Sequence, residues 1–215
     1  MGITATNEAP ARELTPAGNH IARCYSMIHI GTVEEEYMGD MKMMNKARIT
    51  WELPMEVRVF KEENGEQPMV ISKEYTLSLG DKANLRKDLD SWRGKAFTDD
   101  EAMKFDITKL IGVPCMVNVI HKTSGKGKAY PFISAITPLP KGFNCPKQVN
   151  DSFVFDYEEN YSDEKIAAFP DFIKDKIKSS VEYRKRNGTY VDLPPSEHAV
   201  DAIPDDNGTD QDLPF

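Results

Sequence analysis

Residues 115–137 read CMVNVIHKTSGKGKAYPFISAIT, two apolar runs joined by a short basic segment that contains glycine. Val117 and Val119 alternate with Asn118 in the first run, which predicts a strand. The middle segment predicts an exposed turn. The second run predicts the partner strand, with one face formed by Tyr130, Phe132, Ser134 and Ile136. Because Pro131 cannot donate to a ladder, we expect this strand to lie at a sheet edge or to carry a bulge.

The predicted hairpin combines positive charge with flat aromatic rings. Lys122, Lys126 and Lys128 lie at or beside its turn, and Tyr130 and Phe132 follow at once. This pairing is typical of surfaces that bind single-stranded nucleic acid, where phosphates attract cations and unpaired bases stack on rings. The alternative is a solvated lysine loop in front of two core aromatic residues.

Charge is unevenly distributed along the chain. The net charge is -8, but residues 191–215 contain seven acidic residues and no Lys or Arg, which leaves 28 acidic against 27 basic residues elsewhere. Residues 102–150 contain seven lysines against the single acid Asp106. The pattern predicts a cationic surface and an acidic interaction tail.

Composition places the chain among water-soluble globular proteins. An apolar content of 40% is sufficient for a core. No apolar run reaches the roughly 20 residues needed to cross a bilayer, and the N-terminal residues lack the features of a signal peptide. Cys24, Cys115 and Cys145 are widely spaced and odd in number, which predicts reduced thiols. We therefore expect a cytoplasmic protein without a membrane partner, in the host cytoplasm if it is phage-encoded.

The order of predicted elements indicates the fold. Strands are predicted at residues 20–33, 45–53, 56–60 and 70–79, with a turn at 34–40. A helix follows, capped by Asp81 and ended by Gly94, with an apolar stripe of Leu85, Leu89 and Trp92. Thr98 and Glu101 then form a capping box. The predicted fold class is mainly β with added helices: an OB fold, a five-stranded Greek-key barrel with a helical insert between strands 3 and 4, and a C-terminal helix.

Alternation along the strands assigns further candidate contacts to nucleic acid. Trp51 is assigned to the core, whereas the basic and aromatic residues are expected on faces that a ligand can reach. These candidates are Arg23, Tyr25, Lys46, Arg48, Lys73 and Tyr75.

Four regions are predicted. Residues 1–18 form a flexible arm, and residues 19–142 form the nucleic-acid-binding domain. Residues 143–190 form a helical extension, with a stripe of Ile173, Ile177 and Val181 that packs on the barrel or on a second copy in a homodimer. Residues 191–215 are disordered by composition.

The end of the tail carries the clearest family resemblance. Acidic residues precede the apolar tip Leu213-Pro214-Phe215, so that acids would steer the tail to a basic cleft and the tip would fill an apolar pocket. Asp210, Asp212, Leu213, Pro214 and Phe215 resemble the acidic tip of bacterial single-stranded-DNA-binding proteins. The phrases YTLSL at 75–79, KANLRK at 82–87 and WRGK at 92–95 look similar to phage-encoded OB-fold proteins of that class. The long helical insert and residues 143–190 depart from the bacterial type, so its tetramer is not carried over.

The resemblance implies a protein that coats and protects single-stranded DNA with little sequence preference during phage replication or recombination. Its tail would recruit replication and recombination proteins. No enzymatic activity, cofactor or metal is expected, because the four histidines show no metal spacing and Cys115 has no adjacent base. The alternatives are a recombination mediator that anneals strands, a metal-dependent nuclease and a protein-interaction adaptor.

Overall fold

The computed structural model describes residues 13–37 and 39–191, which are mainly β with short helices. The strands are β1 (Gly18–Tyr37), β2 (Asp40–Val59), β3 (Glu66–Thr76), β4 (Pro114–Thr123), β5 (Ala129–Thr137) and β6 (Phe153–Phe155). The helices are α1 (Asn84–Arg93), α2 (Asp99–Ala102), α3 (Asp163–Ala168), α4 (Asp171–Ser179) and α5 (Val181–Arg186).

The six strands form one sheet. β1 to β5 run antiparallel in the order β3-β2-β1-β4-β5, and β6 pairs with β1 in parallel. Within residues 13–37 and 39–191 no backbone ladder joins β3 to β5, so the sheet is not closed. A mainly β chain with helices between its third and fourth strands is confirmed, whereas an OB barrel stays a prediction.

The main core lies on one face of this sheet, where α1 covers it. Trp51 is fully buried and contacts Trp92 of α1, with ring centroids 5.8 Å apart. Leu85 and Leu89 are buried beside Trp92, as the predicted stripe requires. The core assignment of Trp51 is therefore confirmed.

Two local predictions differ from the structure. The strand predicted at residues 56–60 is not a separate one: residues 56–59 continue β2, because Pro54 interrupts the ladder between Leu53 and Val57 while the chain stays extended. The N-cap of α1 is Ala83, and Asp81 accepts from Arg86 at 2.8 Å instead. The capping box of Thr98 and Glu101 is present as predicted.

The C-terminal extension, residues 143–190, covers the opposite face of β1. Ile173 and Ile177 are buried with Ile28 and Ile30 in a second apolar cluster. Val181 lies in α5 and not in the same helix, because the backbone of Ser180 is extended and separates α4 from α5. The extension thus adds both a strand and a helical layer to the sheet.

The extension meets β1 closely at Gly31, which lies at a register shift and has φ +96°. Glu182 accepts hydrogen bonds from the backbone N–H of Thr32 at 2.6 Å and from its hydroxyl at 2.7 Å. Ser180 lies against the same point and hydrogen-bonds Tyr157 at 2.8 Å. We call Gly31, Thr32, Ser180 and Glu182 the Gly31 junction.

Part of the predicted N-terminal arm contacts the sheet. Thr15 is buried, and its carbonyl accepts from Nε2 of His121 at 2.8 Å. The flexibility of residues 1–18 stays a prediction, and residues 1–12 lie outside the described part of the chain. None of the helices within residues 13–37 and 39–191 combines the length and apolar character that a membrane span requires.

A buried carboxylate fixes the loop that leads into β6. Glu52 is fully buried and accepts from the backbone N–H of Asn150 at 2.9 Å, from its side-chain amide at 2.8 Å and from the N–H of Val149 at 3.1 Å. We expect Glu52→Ala to lower the free energy of unfolding by about 3 kcal/mol, because buried donors lose their acceptor. Urea unfolding measures this, with Glu52→Gln as the control that keeps an acceptor. Equal stability of the alanine and glutamine variants would contradict the prediction.

Acid is expected to loosen the turn after β6. Asp156 accepts from the backbone N–H groups of Glu158, Glu159 and Asn160 at 2.9, 2.7 and 3.1 Å. Partial burial opposes ionisation, but these bonds and the Asn160 side chain outweigh it and lower the pKa of Asp156 to about 2. Because the folded pKa lies below the ordinary value, this stabilisation is present above pH 3.8 and is lost as the pH falls toward 2. Asp156→Asn should therefore flatten the decline in unfolding free energy over that interval, whereas the exposed-site control Asp175→Asn should not.

Candidate nucleic-acid interface

The β4–β5 hairpin presents a cation directly above an aromatic ring. Lys122 pairs with Tyr130 across the two strands, and Ile120 pairs with Phe132. The Nζ of Lys122 lies 3.7 Å from the centroid of the Phe132 ring, within the range of a cation–π contact. Lys122, Tyr130 and Phe132 are each half-buried, so all three reach the surface.

The turn of the hairpin is fixed by local hydrogen bonds. The N–H of Ser124 donates to the carbonyl of Lys128 at 2.9 Å, and the N–H of Lys128 donates to the Ser124 hydroxyl at 3.1 Å. Gly127 has φ +78°, which few other residues adopt at low cost. Lys126 and Lys128 are exposed on this turn. The hairpin therefore holds two lysines at a defined place beside the Lys122–Phe132 pair.

The structure confirms the expectation that β5 lies at a sheet edge or carries a bulge. The bulge also changes which side chains of β5 share a face, which was not predicted. β5 is at one end of the sheet order and also carries a bulge, at the shift between the pairs Asn118–Ala135 and Val119–Ile133. The extra residue, Ser134, inverts the alternation after it. The assignment of Ile136 to the face of Phe132 is therefore wrong, since Ile136 is in the core.

Lys73 and Tyr75 do not lie on an open surface. The ammonium of Lys73 and the hydroxyl of Tyr75 both donate to Oδ2 of Asp88 in α1, each at 2.7 Å. Burial, reinforced by Asp88, raises the pKa of Tyr75 well above its ordinary value. These residues share the inner side of β3 with Ile71, so their assignment as DNA contacts is corrected to a structural role. Lys73 also lies 5.5 Å from the Phe132 ring, which brings β3 and β5 together through side chains.

Lys46 and Arg48 are on the predicted side of β2, but that side is covered. The ammonium of Lys46 forms an ion pair with the carboxylate of Glu35, and Arg48 donates to Glu74 at 3.1 Å. Lys176 of α4 bridges both carboxylates, at 3.3 Å from Glu35 and 2.8 Å from Glu74. Both predicted contacts are buried, which contradicts their expected solvent exposure.

These ion pairs also shift the acid–base behaviour of the buried groups. Burial opposes ionisation of Glu35, but the hydrogen bond and charge of Lys46, with Lys176, outweigh it and lower the pKa of Glu35. Burial lowers the pKa of Arg48 against the opposing charge of Glu74. This network of ion pairs holds α4 on the sheet. In it, Lys46 and Arg48 pair with protein carboxylates and not with the phosphates to which they were assigned.

Arg23 and Tyr25 have different surroundings. Arg23 donates to the carbonyls of Gly112 at 2.6 Å, Pro146 at 2.9 Å and Cys145 at 3.3 Å, so it joins β1 to two loops. Arg23 is half-buried, and its assignment as a DNA contact stays a prediction. Tyr25 instead lines a groove between the sheet and the extension, and burial, followed by the charge of Glu52, raises its pKa to about 12.

The groove has a volume of about 640 Å³. Its sheet side carries Tyr25, Arg48, Thr50 and Ser72, and its other side is formed by residues of the extension that include Phe153 and Phe169. It was not predicted, because it exists only where two segments far apart in sequence face each other.

Three further cation–aromatic pairs were not predicted from the sequence. Lys42 lies 5.2 Å from the Tyr37 ring at the end of the β1–β2 hairpin, where a turn was predicted. At the end of α5, Lys185 lies 4.9 Å from the Tyr190 ring and Arg186 lies 3.9 Å from the Tyr161 ring.

Comparison of the sequence with protein-family models gave no match, and comparison with curated proteins gave none either. Among residues 13–37 and 39–191, no three His, Cys, Asp or Glu side chains are grouped so that they could hold a metal ion. The predicted partner-binding residues Asp210, Asp212, Leu213, Pro214 and Phe215 lie outside the described residues.

Proposed function

We propose that this protein binds single-stranded DNA through the outer face of the β4–β5 hairpin. The observation that carries the proposal is the Lys122 ammonium 3.7 Å above the Phe132 ring, beside Tyr130 and two exposed turn lysines. Phosphates pair with Lys122, Lys126 and Lys128, and bases stack on Tyr130 and Phe132. Since every base has a π-face, binding has little sequence preference.

The strand order supports this reading. OB folds are partly open five-stranded Greek-key barrels that bind oligonucleotides with the loops between strands 1 and 2 and between strands 4 and 5. The order β3-β2-β1-β4-β5, with helices between β3 and β4, is compatible with such a barrel. The Lys73–Phe132 contact draws the two ends of the sheet together. The β4–β5 turn then corresponds to one binding loop, and the Tyr37–Lys42 pair lies at the other.

The biological role that follows is coating of single-stranded DNA during replication or recombination, in the cytoplasm of a host cell if the chain is phage-encoded. The acidic tip at residues 210–215 recruits replication and recombination proteins, as its resemblance to the tips of bacterial single-stranded-DNA-binding proteins implies. The protein acts by binding and not by catalysis, without a cofactor.

The test is the fluorescence anisotropy of end-labelled oligo-dT titrated with the full chain at several salt concentrations. Intrinsic tryptophan quenching is unsuitable, because Trp51 and Trp92 are both buried. We expect binding at about 50 mM salt that weakens steeply as salt rises, because binding releases counterions. A duplex of equal length should bind at least about tenfold more weakly, since its bases are not free to stack.

Two results would overturn the proposal. One is the absence of binding at low salt, which would favour the protein-interaction adaptor. The other is cleavage of the oligonucleotide on addition of magnesium, lost in a single carboxylate variant, which would favour the nuclease. Acceleration of the pairing of complementary strands would identify the annealing mediator, a form of the same binding function.

A further inference from the structure

The floor of the groove is a row of small hydroxyl side chains. Ser26 of β1 pairs with Thr50 of β2, and Thr50 pairs with Ser72 of β3. Residues paired across neighbouring strands point to the same face of a sheet, so the three hydroxyls lie side by side. Ser26 also pairs with Phe153 of β6, which places an aromatic ring at the end of the row.

Aromatic rings form the walls of the groove. Phe153 and Phe169 meet edge to face, with centroids 5.7 Å apart and an interplanar angle of 83°. Tyr25 lines the groove from β1. The space between them exists because the small side chains of the row, opposite Ala168, do not fill the gap between the sheet and the extension.

Hydrogen-bonding groups also face the groove. The hydroxyls of Thr50 and Ser72 lie 3.0 Å apart, and this one bond leaves a further donor and acceptors on the pair. Arg48 lines the groove, and the hydrogen bonds found for it among residues 13–37 and 39–191 use only its Nη1, toward Glu74. Its remaining guanidinium N–H groups can therefore donate to a ligand.

The charges that line the groove balance. Arg48 and Lys165 are opposed by Asp151 and Glu164. Arg48 is paired with Glu74, and Lys165 donates to the carbonyls of Val154 at 3.2 Å and Asn160 at 3.3 Å. A phosphate would gain little here and would meet two carboxylates. An uncharged, planar ligand with both donors and acceptors on its edge fits these groups, and a nucleobase is such a ligand.

From these features we infer that the groove receives one nucleobase of the bound strand, turned out of the stack. The base lies between the aromatic walls and places its edge over the hydroxyl row and Arg48, while its phosphates stay outside. A volume of about 640 Å³ is large enough for a base with its sugar. This inference rests on the proposed function, because it requires that the chain bind a single strand.

The test compares oligo-dT with an abasic oligonucleotide of the same length, which keeps the phosphates and lacks the bases. The variant Ser72→Phe fills the groove from its floor without changing charge. We expect Ser72→Phe to lower the affinity for oligo-dT about tenfold and to leave the affinity for the abasic strand unchanged. Ser91→Phe, at an exposed position of α1, is the matched control and should affect neither strand.

An equal loss for both strands, or no loss for either, would overturn the inference. A second experiment does not depend on whether Ser72→Phe folds. Wild-type protein is photo-crosslinked to an oligonucleotide that contains 5-iododeoxyuridine, and the linked residues are identified by mass spectrometry. Crosslinks to Tyr25, Phe153 or Phe169 are expected, and crosslinks confined to the β4–β5 hairpin would count against a base in the groove. Failure of the wild-type chain to bind either strand would instead overturn the proposed function.

Discussion

Replacing Lys122, Lys126 and Lys128 together by glutamate is expected to lower the affinity for oligo-dT about 100-fold at about 0.1 M salt. Each phosphate contact on a single strand contributes about 0.7 to the slope of log affinity against log salt. Loss of three contacts should therefore make that slope shallower by about two. Anisotropy titrations over a range of salt concentrations measure both quantities.

A matched control separates this local effect from the change in net charge. Lys61, Lys109 and Lys178 are exposed on three other parts of the molecule, and their replacement by glutamate changes the net charge equally. The control triple variant should keep most of its affinity and its salt slope. If both triple variants lose affinity to the same extent, the hairpin is not the phosphate-binding surface.

Replacing Gly31 by alanine is expected to lower the free energy of unfolding by about 4 kcal/mol. A Cβ at this position would lie 2.8 Å from Cβ of Ser180 and 2.6 Å from Oε2 of Glu182, and the backbone has φ +96°. Conformational strain of about 1–3 kcal/mol thus adds to an overpacking cost of similar size. Chemical unfolding gives the total, and hydrogen exchange in α4 and α5 shows whether the extension loosens first.

Gly142→Ala controls for backbone strain alone. Gly142 has φ +88°, but a Cβ there would meet no atom within 4 Å. We expect this variant to lose only the strain contribution and to leave exchange in α4 and α5 unchanged. Equal destabilisation by the two substitutions would show that the Gly31 junction does not secure the extension.

Local patterns predicted the elements that depend on neighbouring residues. The β4–β5 hairpin, the apolar stripe of α1 and the capping box of Thr98 each follow from residues close in sequence. The order of strands and helices along the chain was accessible from the sequence, because helices between β3 and β4 are unusual for a plain sandwich. The two wrong predictions, Asp81 as the helix cap and a new strand at residue 56, both concern element boundaries. An ion pair with Arg86 engages Asp81, and Pro54 interrupts the ladder without ending the strand.

Surface exposure was harder to predict, because it depends on segments far away in sequence. Alternation placed Lys46 and Arg48 on the correct side of β2, but it does not show that α4 covers that side. The outward face of β5 was misassigned at Ile136, since one inserted residue reverses the alternation. The row of Ser26, Thr50 and Ser72 required the register of three strands, which no single stretch of sequence specifies.

The pairing of β1 has a consequence for how the chain is made. One edge of β1 pairs with β2, which is the next strand to be synthesised. The other edge has no partner until β4, and then Phe153 of β6, have been synthesised. At ordinary rates of translation, the interval between synthesis of β1 and synthesis of β6 is on the order of 10 s, and during it the unpaired strand edge can aggregate. Such non-local pairing also favours folding in milliseconds to seconds after release. Nascent chains that stop before residue 153 therefore leave part of that edge without its partner.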